Sequence, residues 1–222
     1  MPAQSPRKPA ARTLRSDARH NREKILEAAR AAFTMQGIDV PLTAIARRAG
    51  VGPATLYRHF PTRAALVTEA FAEQIAACVA VLDEALADPD PWRGFCSVVE
   101  SVYAMQAADR GFTAAFLSQF PDAVDYERER GRAEQGLAEL VRRAQEAGKL
   151  RADFDPADIP LLMLANSGVI DGVTKGVPAG KPQLAAAASR RLVGYLLQSF
   201  RAGDSTPLPP AVPLGLEQIH QV

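Results

Sequence analysis

The sequence predicts an all-α protein with a small N-terminal head of three helices, a larger helical body, and about nine helices in all. Three observations lead there. Apolar residues recur at helical rather than alternating spacing, glycines and prolines fall where such stretches must open and close, and alanine and arginine dominate while aromatics make up 6%. Alanine and arginine favour packed helices, and scarce aromatic and β-branched runs disfavour sandwiches and barrels. The chain of 222 residues is long enough for one or two domains with a sizeable core.

Residues 1–16, rich in Pro, Ala and Arg, lack periodicity and are expected to be a disordered basic arm. From Asp17 to Gln36 an amphipathic helix places Ile25, Ala29, Ala32 and Phe33 on one face. Gly37, with apolar Ile38 behind it, stops that helix. Pro41 opens a short helix to Ala49, stopped by Gly50 and Val51. Pro53 opens the next, and Pro61 closes it, because proline disfavours the helical state of Phe60. Thr62 caps a long helix whose buried stripe is Leu66, Ala70, Ile75, Val79, Leu82 and Leu86. Further helices are expected over 91–107, 111–119, 122–147, 156–174 and 182–202, each bounded by Gly, Pro or Asp-Pro punctuation. The expected division is an arm over 1–16, a head over 17–66, a body over 67–202 and a Pro-rich flexible tail over 203–222.

Composition excludes several classes. Two cysteines, Cys78 and Cys96, are too few for a disulfide framework or a zinc cluster and read as inert buried residues. No run of eighteen apolar residues predicts a membrane span, and the basic N-terminus has no apolar signal core, so a cytoplasmic location is expected. Charge is uneven: residues 1–66 hold twelve Lys or Arg and four Asp or Glu, while the remainder holds fourteen and twenty-one. A basic head on an acidic body suits a polyanionic partner, although seven of the twelve cations lie in the first 24 residues, as in a solvated tail.

Chemistry concentrates between Leu42 and Phe60. Two short helices joined by Ala49-Gly50-Val51-Gly52 carry apolar Ile45, Ala46, Val51, Leu56 and Phe60, placed to lock them together. This is the plan of a helix-turn-helix, whose second helix turns its outer face to the DNA major groove. That face would show Ala54, Thr55, Tyr57, Arg58 and His59, which bring hydroxyls, an aromatic edge, a guanidinium and an imidazole to phosphates or base edges. Thr43 and Arg47 on the preceding helix join the candidates, with Arg47 and Arg48 read as a face near the DNA backbone rather than as base readers. The arm cations Arg7, Lys8, Arg12, Arg15 and Arg19 have two readings, entry into an adjacent minor groove or non-specific affinity alone.

The stretch from Ile45 to Leu66, with its Thr55-Leu56-Tyr57-Arg58-His59-Phe60 core and Arg63 three places after Phe60, closely resembles the DNA-binding signature of TetR/AcrR-family transcriptional regulators. The resemblance covers roughly residues 22–70 at motif level. It implies a homodimer that binds double-stranded DNA at a pseudo-palindromic operator and releases it when a small molecule enters the body. The expected role is a repressor released by a small apolar or aromatic effector, with an activator also compatible with the sequence, and no enzyme activity, cofactor or membrane partner is expected. Carried over by position, the resemblance implies that Thr55 and Tyr57 touch DNA, His59 contacts phosphate, Arg63 clamps the backbone, and Pro53, Ala54 and Arg58 choose sequence. Read from the residues alone, Tyr57 is either a DNA contact or a core aromatic, and His59 either a DNA contact or a cap on the helix C-terminus. Three positions depart from the family pattern: Gly52 stands where a Ser cap is usual, Ala64 where an acidic residue is common, and Val40-Pro41 offers no side-chain cap.

In the body, Trp92, Phe95, Val99, Tyr103, Phe112, Phe116 and Phe120 gather aromatic character into an otherwise aromatic-poor chain. They are either ordinary core or the wall of a ligand chamber, with Met163 contributing and Gln119, Asn166 and Asp171 as polar orienters. Helix 156–174 is apolar nearly all round, and the last helix adds further apolar positions, so Leu162, Ile170, Leu192, Leu196 and Phe200 are expected at a dimer interface built from two helices of each chain. Such a dimer would set two recognition helices about 34–36 Å apart. Two rival classes remain: an all-helical enzyme, for which the body shows no nucleophile elbow or phosphate loop, and an adaptor that binds protein through its head.

Overall fold

The computed structural model describes residues 10–117, 120, 123–176, 182–203 and 206–211. Ten helices occur among them, and no strand beyond an isolated antiparallel bridge between Leu150 and Arg201. The described residues fall into two compact units that divide between Ala70 and Phe71.

The first unit holds α1 (Ala10–Gln36), α2 (Leu42–Ala49), α3 (Pro53–His59) and α4 (Arg63–Ala70). Its core joins Ile25, Ala29 and Phe33 of α1 to Ile45 and Ala46 of α2, Leu56 of α3, Phe60 and Leu66, all essentially without solvent contact. Burial of each Ile, Leu or Phe among them stabilises by about 1.5–3 kcal/mol. Polar ties reinforce it. Arg22 of α1 pairs with Glu69 of α4 and lies over the Phe60 ring, 5.2 Å from its centroid. Arg30 donates through Nε to the Ala70 carbonyl at 2.8 Å, satisfying an acceptor that the end of α4 leaves open.

The second unit holds α5 (Ala72–Ala87), α6 (Pro91–Ala108), α7 (Arg110–Leu117), α8 (Val124–Glu146), α9 (Asp158–Gly176) and α10 (Pro182–Ser199). Asp90 caps α6, its Oδ1 accepting from the Trp92 and Arg93 amides at 3.0 and 3.2 Å, with Pro91 at the first helical position. The α5–α6 crossing is close. A Cβ on Gly94 would lie 2.6 Å from the Ala85 carbonyl oxygen, so only glycine fits there. Arg143 of α8 donates to the Leu86 and Asp88 carbonyls at 2.6 and 2.9 Å, closing the end of α5.

Three expectations change. Among the described residues there are ten helices rather than nine, because the long helix expected after Thr62 breaks at Phe71, whose φ of −109° and ψ of 12° leave the helical path. No glycine or proline marks that break. The Phe71 side chain is instead fully buried, its ring 6.4 Å from that of Phe112. Residues 10–16, expected to be disordered, begin α1, since Ala, Arg and Leu extend an existing helix at little cost; the first nine residues lie outside the described residues. Finally, part of the tail is tied down. Arg151 grips Asp153 through a two-pronged bond of 2.5 and 2.9 Å and donates to the Thr206 carbonyl at 3.0 Å, while Asp153 accepts from the Leu208 amide at 2.8 Å.

Two measurements test this account. Gly50, which ends α2, has φ +68° and no atom near its missing Cβ, so Gly50→Ala should destabilise through backbone conformation alone, by about 1–2 kcal/mol in urea titration. The Arg93 and Arg151 guanidiniums hold the Asp88 and Asp153 carboxyls below the usual carboxylate range. A carboxyl with a lowered folded pKa contributes stability that is present above its unfolded pKa and fades as pH falls. Asp153→Asn should therefore be less stable than the parent at pH 7, and the gap in Tm should close as pH drops below about 4.

Candidate functional site

The head builds an outward-facing short helix. After Gly50, whose amide donates to the Ala46 and Arg47 carbonyls, the chain extends through Gly52 and re-enters a helix at Pro53. Gly52 provides no side-chain cap, and its carbonyl accepts from the Thr55 and Leu56 amides at 2.9 and 3.2 Å. The helix closes at Phe60, in extended backbone before Pro61. Thr62 then caps α4, its Oγ1 accepting from the Ala65 amide at 3.1 Å.

With Leu56 and Phe60 buried, α3 presents a definite set to solvent. Pro53, Ala54, Tyr57 and Arg58 are exposed, Tyr57 with 48% of its surface accessible, and Thr55 is half-buried beside them. Thr43 and Arg47 of α2 are exposed as well. Two of the nine head residues named from sequence sit differently. His59 is half-buried, its Nε2 enclosed without a hydrogen-bond partner and its ring 6.5 Å from that of Phe60. Arg63 turns its Nη1 inward to the Ile38 and Val40 carbonyls at 2.5 and 2.8 Å, pinning the α1–α2 loop. With Arg22 and Arg30, Arg63 belongs to a group of head cations engaged in internal contacts. Charge counting credits all three to a partner, and only coordinates separate them from Arg47, Arg48 and Arg58.

The body contains a cavity of about 540 Å³, lined from α5, α6, α7, α8 and the start of α9. Of the residues named from sequence, Val99, Tyr103, Phe116 and Met163 line it. Trp92, Phe95, Phe112, Phe120 and Asn166 do not, and Gln119 lies outside the described residues. The physical reason is that the aromatics pack on one another. Phe95 stacks on Trp92 at 5.7 Å between centroids and meets Phe154 and Phe200 edge-on at 5.4 and 6.3 Å, forming a solid cluster. Phe112 packs against Phe71 and Phe116, and Phe120 against Tyr126. Asn166 is fully buried and donates to the Gln106 side-chain oxygen at 3.0 Å, while the Gln106 amide donates to Thr113 Oγ1 and the Met163 carbonyl. Two of the residues assigned to a dimer interface, Ile170 and Phe200, are likewise buried within this chain's own core; Leu162, Leu192 and Leu196 are half-buried.

Sequence reading missed the α8 contribution to the cavity: Tyr126, Glu129, Arg130, Ala133, Glu134 and Leu137. The charged character of that helix disguises its wall-forming side, and only the apolar members at i, i+4 spacing (Ala133, Leu137) hinted at it. Tyr126 donates to the Ala115 carbonyl at 3.2 Å, and Arg130 pairs with Glu134 at 3.1 Å. Cys78 also lines the cavity. Burial pushes its thiol up to about 11, and burial with a nearby Glu100 does the same for Cys96, so both are protonated at neutral pH.

Similarity to known proteins agrees with this geometry. The profile of bacterial regulatory proteins of the tetR family matches residues 25–70, the helices that form the head. The profile of the C-terminal domain of SbtR-like transcriptional regulators matches residues 90–190, most of the body. Among solved structures, a regulatory protein of the tetR family from Rhodococcus RHA1 is 18% identical, with 83% of this chain and 98% of that one covered, at a TM-score of 0.58. A tetR-family transcription regulator from Shewanella sp. PV-4 is 21% identical over 82% and 99% of the two chains, at a TM-score of 0.53. A TetR transcription regulatory protein from Mycobacterium vanbaalenii is 31% identical over 85% and 99%, at a TM-score of 0.43. No curated protein matches. Residues 25–70 and 90–190 carry the family's two parts in order on an all-helical fold, and the chain belongs to the tetR family of bacterial transcription regulators, with a helix-turn-helix DNA-binding head.

Proposed function

We propose that this protein is a homodimeric transcriptional repressor that binds a pseudo-palindromic operator and releases it when a small, largely apolar effector occupies the body cavity. The observation that carries the reading is the division of α3. Leu56 and the adjoining Phe60 are sealed into the head, while Tyr57, Arg58, Ala54 and Thr55 face outward or lie at the boundary. A seven-residue helix held this way can enter a major groove, where Arg58 has the reach and fork geometry for a guanine. Arg47 and Arg48 on α2 supply cations for phosphate contact. Arg63 acts by holding the loop between α1 and α2, and so the angle at which α2 and α3 are presented.

Dimerisation is supported by apolar surface on the last two helices. Leu161 on α9 and Leu184 and Tyr195 on α10 are substantially exposed, and half-buried Leu162, Leu192 and Leu196 adjoin them. These residues, rather than the internal Ile170 and Phe200, form the proposed contact. Release requires only that the effector bind the DNA-free state more tightly than the DNA-bound one. A coupling of about 1–3 kcal/mol corresponds to 5–150-fold derepression.

Selection of bound sequences from random duplex DNA, followed by titration of the recovered site at several salt concentrations, checks the proposal. The parent protein should bind a site with twofold symmetry, with affinity falling steeply as salt rises. Arg58→Ala should lose about 1–3 kcal/mol of discrimination at one base position per half-site, and Tyr57→Ala should weaken the complex with Tm unchanged. Leu161→Glu combined with Tyr195→Glu should convert a sedimenting dimer to a monomer and reduce operator affinity with it. Recovery of no symmetric site, or variants at Tyr57 and Arg58 that bind like the parent, would overturn the reading.

A further inference from the structure

The body cavity has a chemical asymmetry that narrows what it can hold. Its walls are mainly aliphatic and aromatic, and among the described residues its charges come from α8: Glu129, Arg130 and Glu134. Arg130 is paired with Glu134, and Glu129, 3.9 Å from Arg132 outside the lining, presents a second carboxylate. An anionic ligand would therefore have to compete with a carboxylate for the one guanidinium on that wall while facing a second acid. On α6 the wall includes Tyr103, 2% exposed, whose hydroxyl is enclosed with no hydrogen-bond partner. Burial pushes this phenol far above its ordinary pKa, so it stays neutral and can both donate and accept.

An unpartnered buried hydroxyl is costly, and native structures satisfy such groups in the great majority of cases. Just beyond Tyr103, Gln106 is engaged with Thr113, Asn166 and the Met163 carbonyl, and Asn166 Oδ1, which lies off the cavity lining, is a buried acceptor without a partner. Among the described lining residues the Tyr103 hydroxyl is the neutral donor without a bond. We infer that the cavity takes an uncharged, largely apolar small molecule bearing a hydroxyl or carbonyl oxygen, and that Tyr103 is the residue that selects for that oxygen. The hydroxyl has almost no accessible surface and lies on the axis of the ring, so rotation about the Cα–Cβ bond brings it to the ligand, and the bond then formed removes the penalty of the unpartnered state. A volume of about 540 Å³ accommodates a molecule of two to four rings or a medium-length chain. This inference rests on the reading of the body as an effector-binding domain.

The test is calorimetric titration of the full chain with matched compounds on two frameworks: 2-naphthol, naphthalene and 2-naphthoate, and 1-decanol and decanoate. The parent should bind 2-naphthol about tenfold or more tightly than naphthalene, and each alcohol more tightly than its carboxylate. In Tyr103→Phe the naphthol preference should fall to near unity, naphthalene affinity should be unchanged, and the Tm of the ligand-free protein should be equal or higher. A fall in Tm would mean the hydroxyl is bonded within the protein and would sink the inference. Tighter binding of the carboxylates, an intact naphthol preference in Tyr103→Phe, or no binding of any compound would do so equally. Operator binding measured on the same preparations keeps the two readings apart. Loss of DNA recognition with the ligand pattern intact overturns the regulator and leaves the selectivity of the cavity standing, and the reverse pattern overturns only the inference.

Discussion

A helix of seven residues is far below the length at which a helix persists in water, so α3 exists only because its neighbours hold it. Leu56 and Phe60 are the points of attachment, both buried against α1 and α2, and every other property of the head follows from them. Once those two side chains point inward, helical geometry sends Ala54, Tyr57 and Arg58 outward. Proline at each end limits the helix to about two turns: Pro53 presets the first residue and Pro61 prevents an eighth. The recognition surface is thus the remainder of a packing requirement, and the two cannot be varied independently.

The same economy appears in how helix ends and loops are closed. Arginines from distant helices donate to carbonyls that the backbone leaves open: Arg30 to Ala70, Arg63 to Ile38 and Val40, Arg143 to Leu86 and Asp88. Each bond spans two elements, so the arginine caps one and ties it to another. A guanidinium suits this because its several fixed donors engage two carbonyls at once while its stem lies along apolar surface. The head's positive charge consequently serves two purposes. Arg22, Arg30 and Arg63 hold it together, while exposed Arg47, Arg48 and Arg58 remain on the surface proposed to face DNA.

In the body, aromatic residues divide into a solid part and a hollow part. Trp92, Phe95, Phe154 and Phe200 fill one region with edge-on and stacked contacts, whereas Tyr103, Phe116 and Tyr126 stand around open space. Trp92, Phe95, Tyr103 and Phe116 looked alike in sequence, since large apolar side chains at helical spacing signal burial without saying against what. Whether a buried ring meets another ring or a void depends on how α8 and α9 pack beside α6. Phe154 and Tyr126 show the limit well: the first lies in a turn with no periodic pattern, and the second on a helix whose charges mask its inner side.

Local chemistry was legible wherever one residue decides one backbone event. Gly50 adopts its positive φ because the turn after α2 demands it, Asp90-Pro91 opens α6, Pro61 ends α3, and the alternation of apolar and polar positions from Ile45 to Phe60 set which face of each short helix is buried. Tertiary packing alone decided matters that hinge on distant partners. The break at Phe71 arises because its ring is buried beside Phe112, although its neighbours in sequence would continue the helix. The inward turn of Arg63, the anchoring of Thr206 and Leu208 by Arg151 and Asp153, and the unpartnered hydroxyl of Tyr103 have the same origin. Propensity and periodicity act over a turn or two of helix, whereas these contacts join residues tens of positions apart, and no local pattern carries that information.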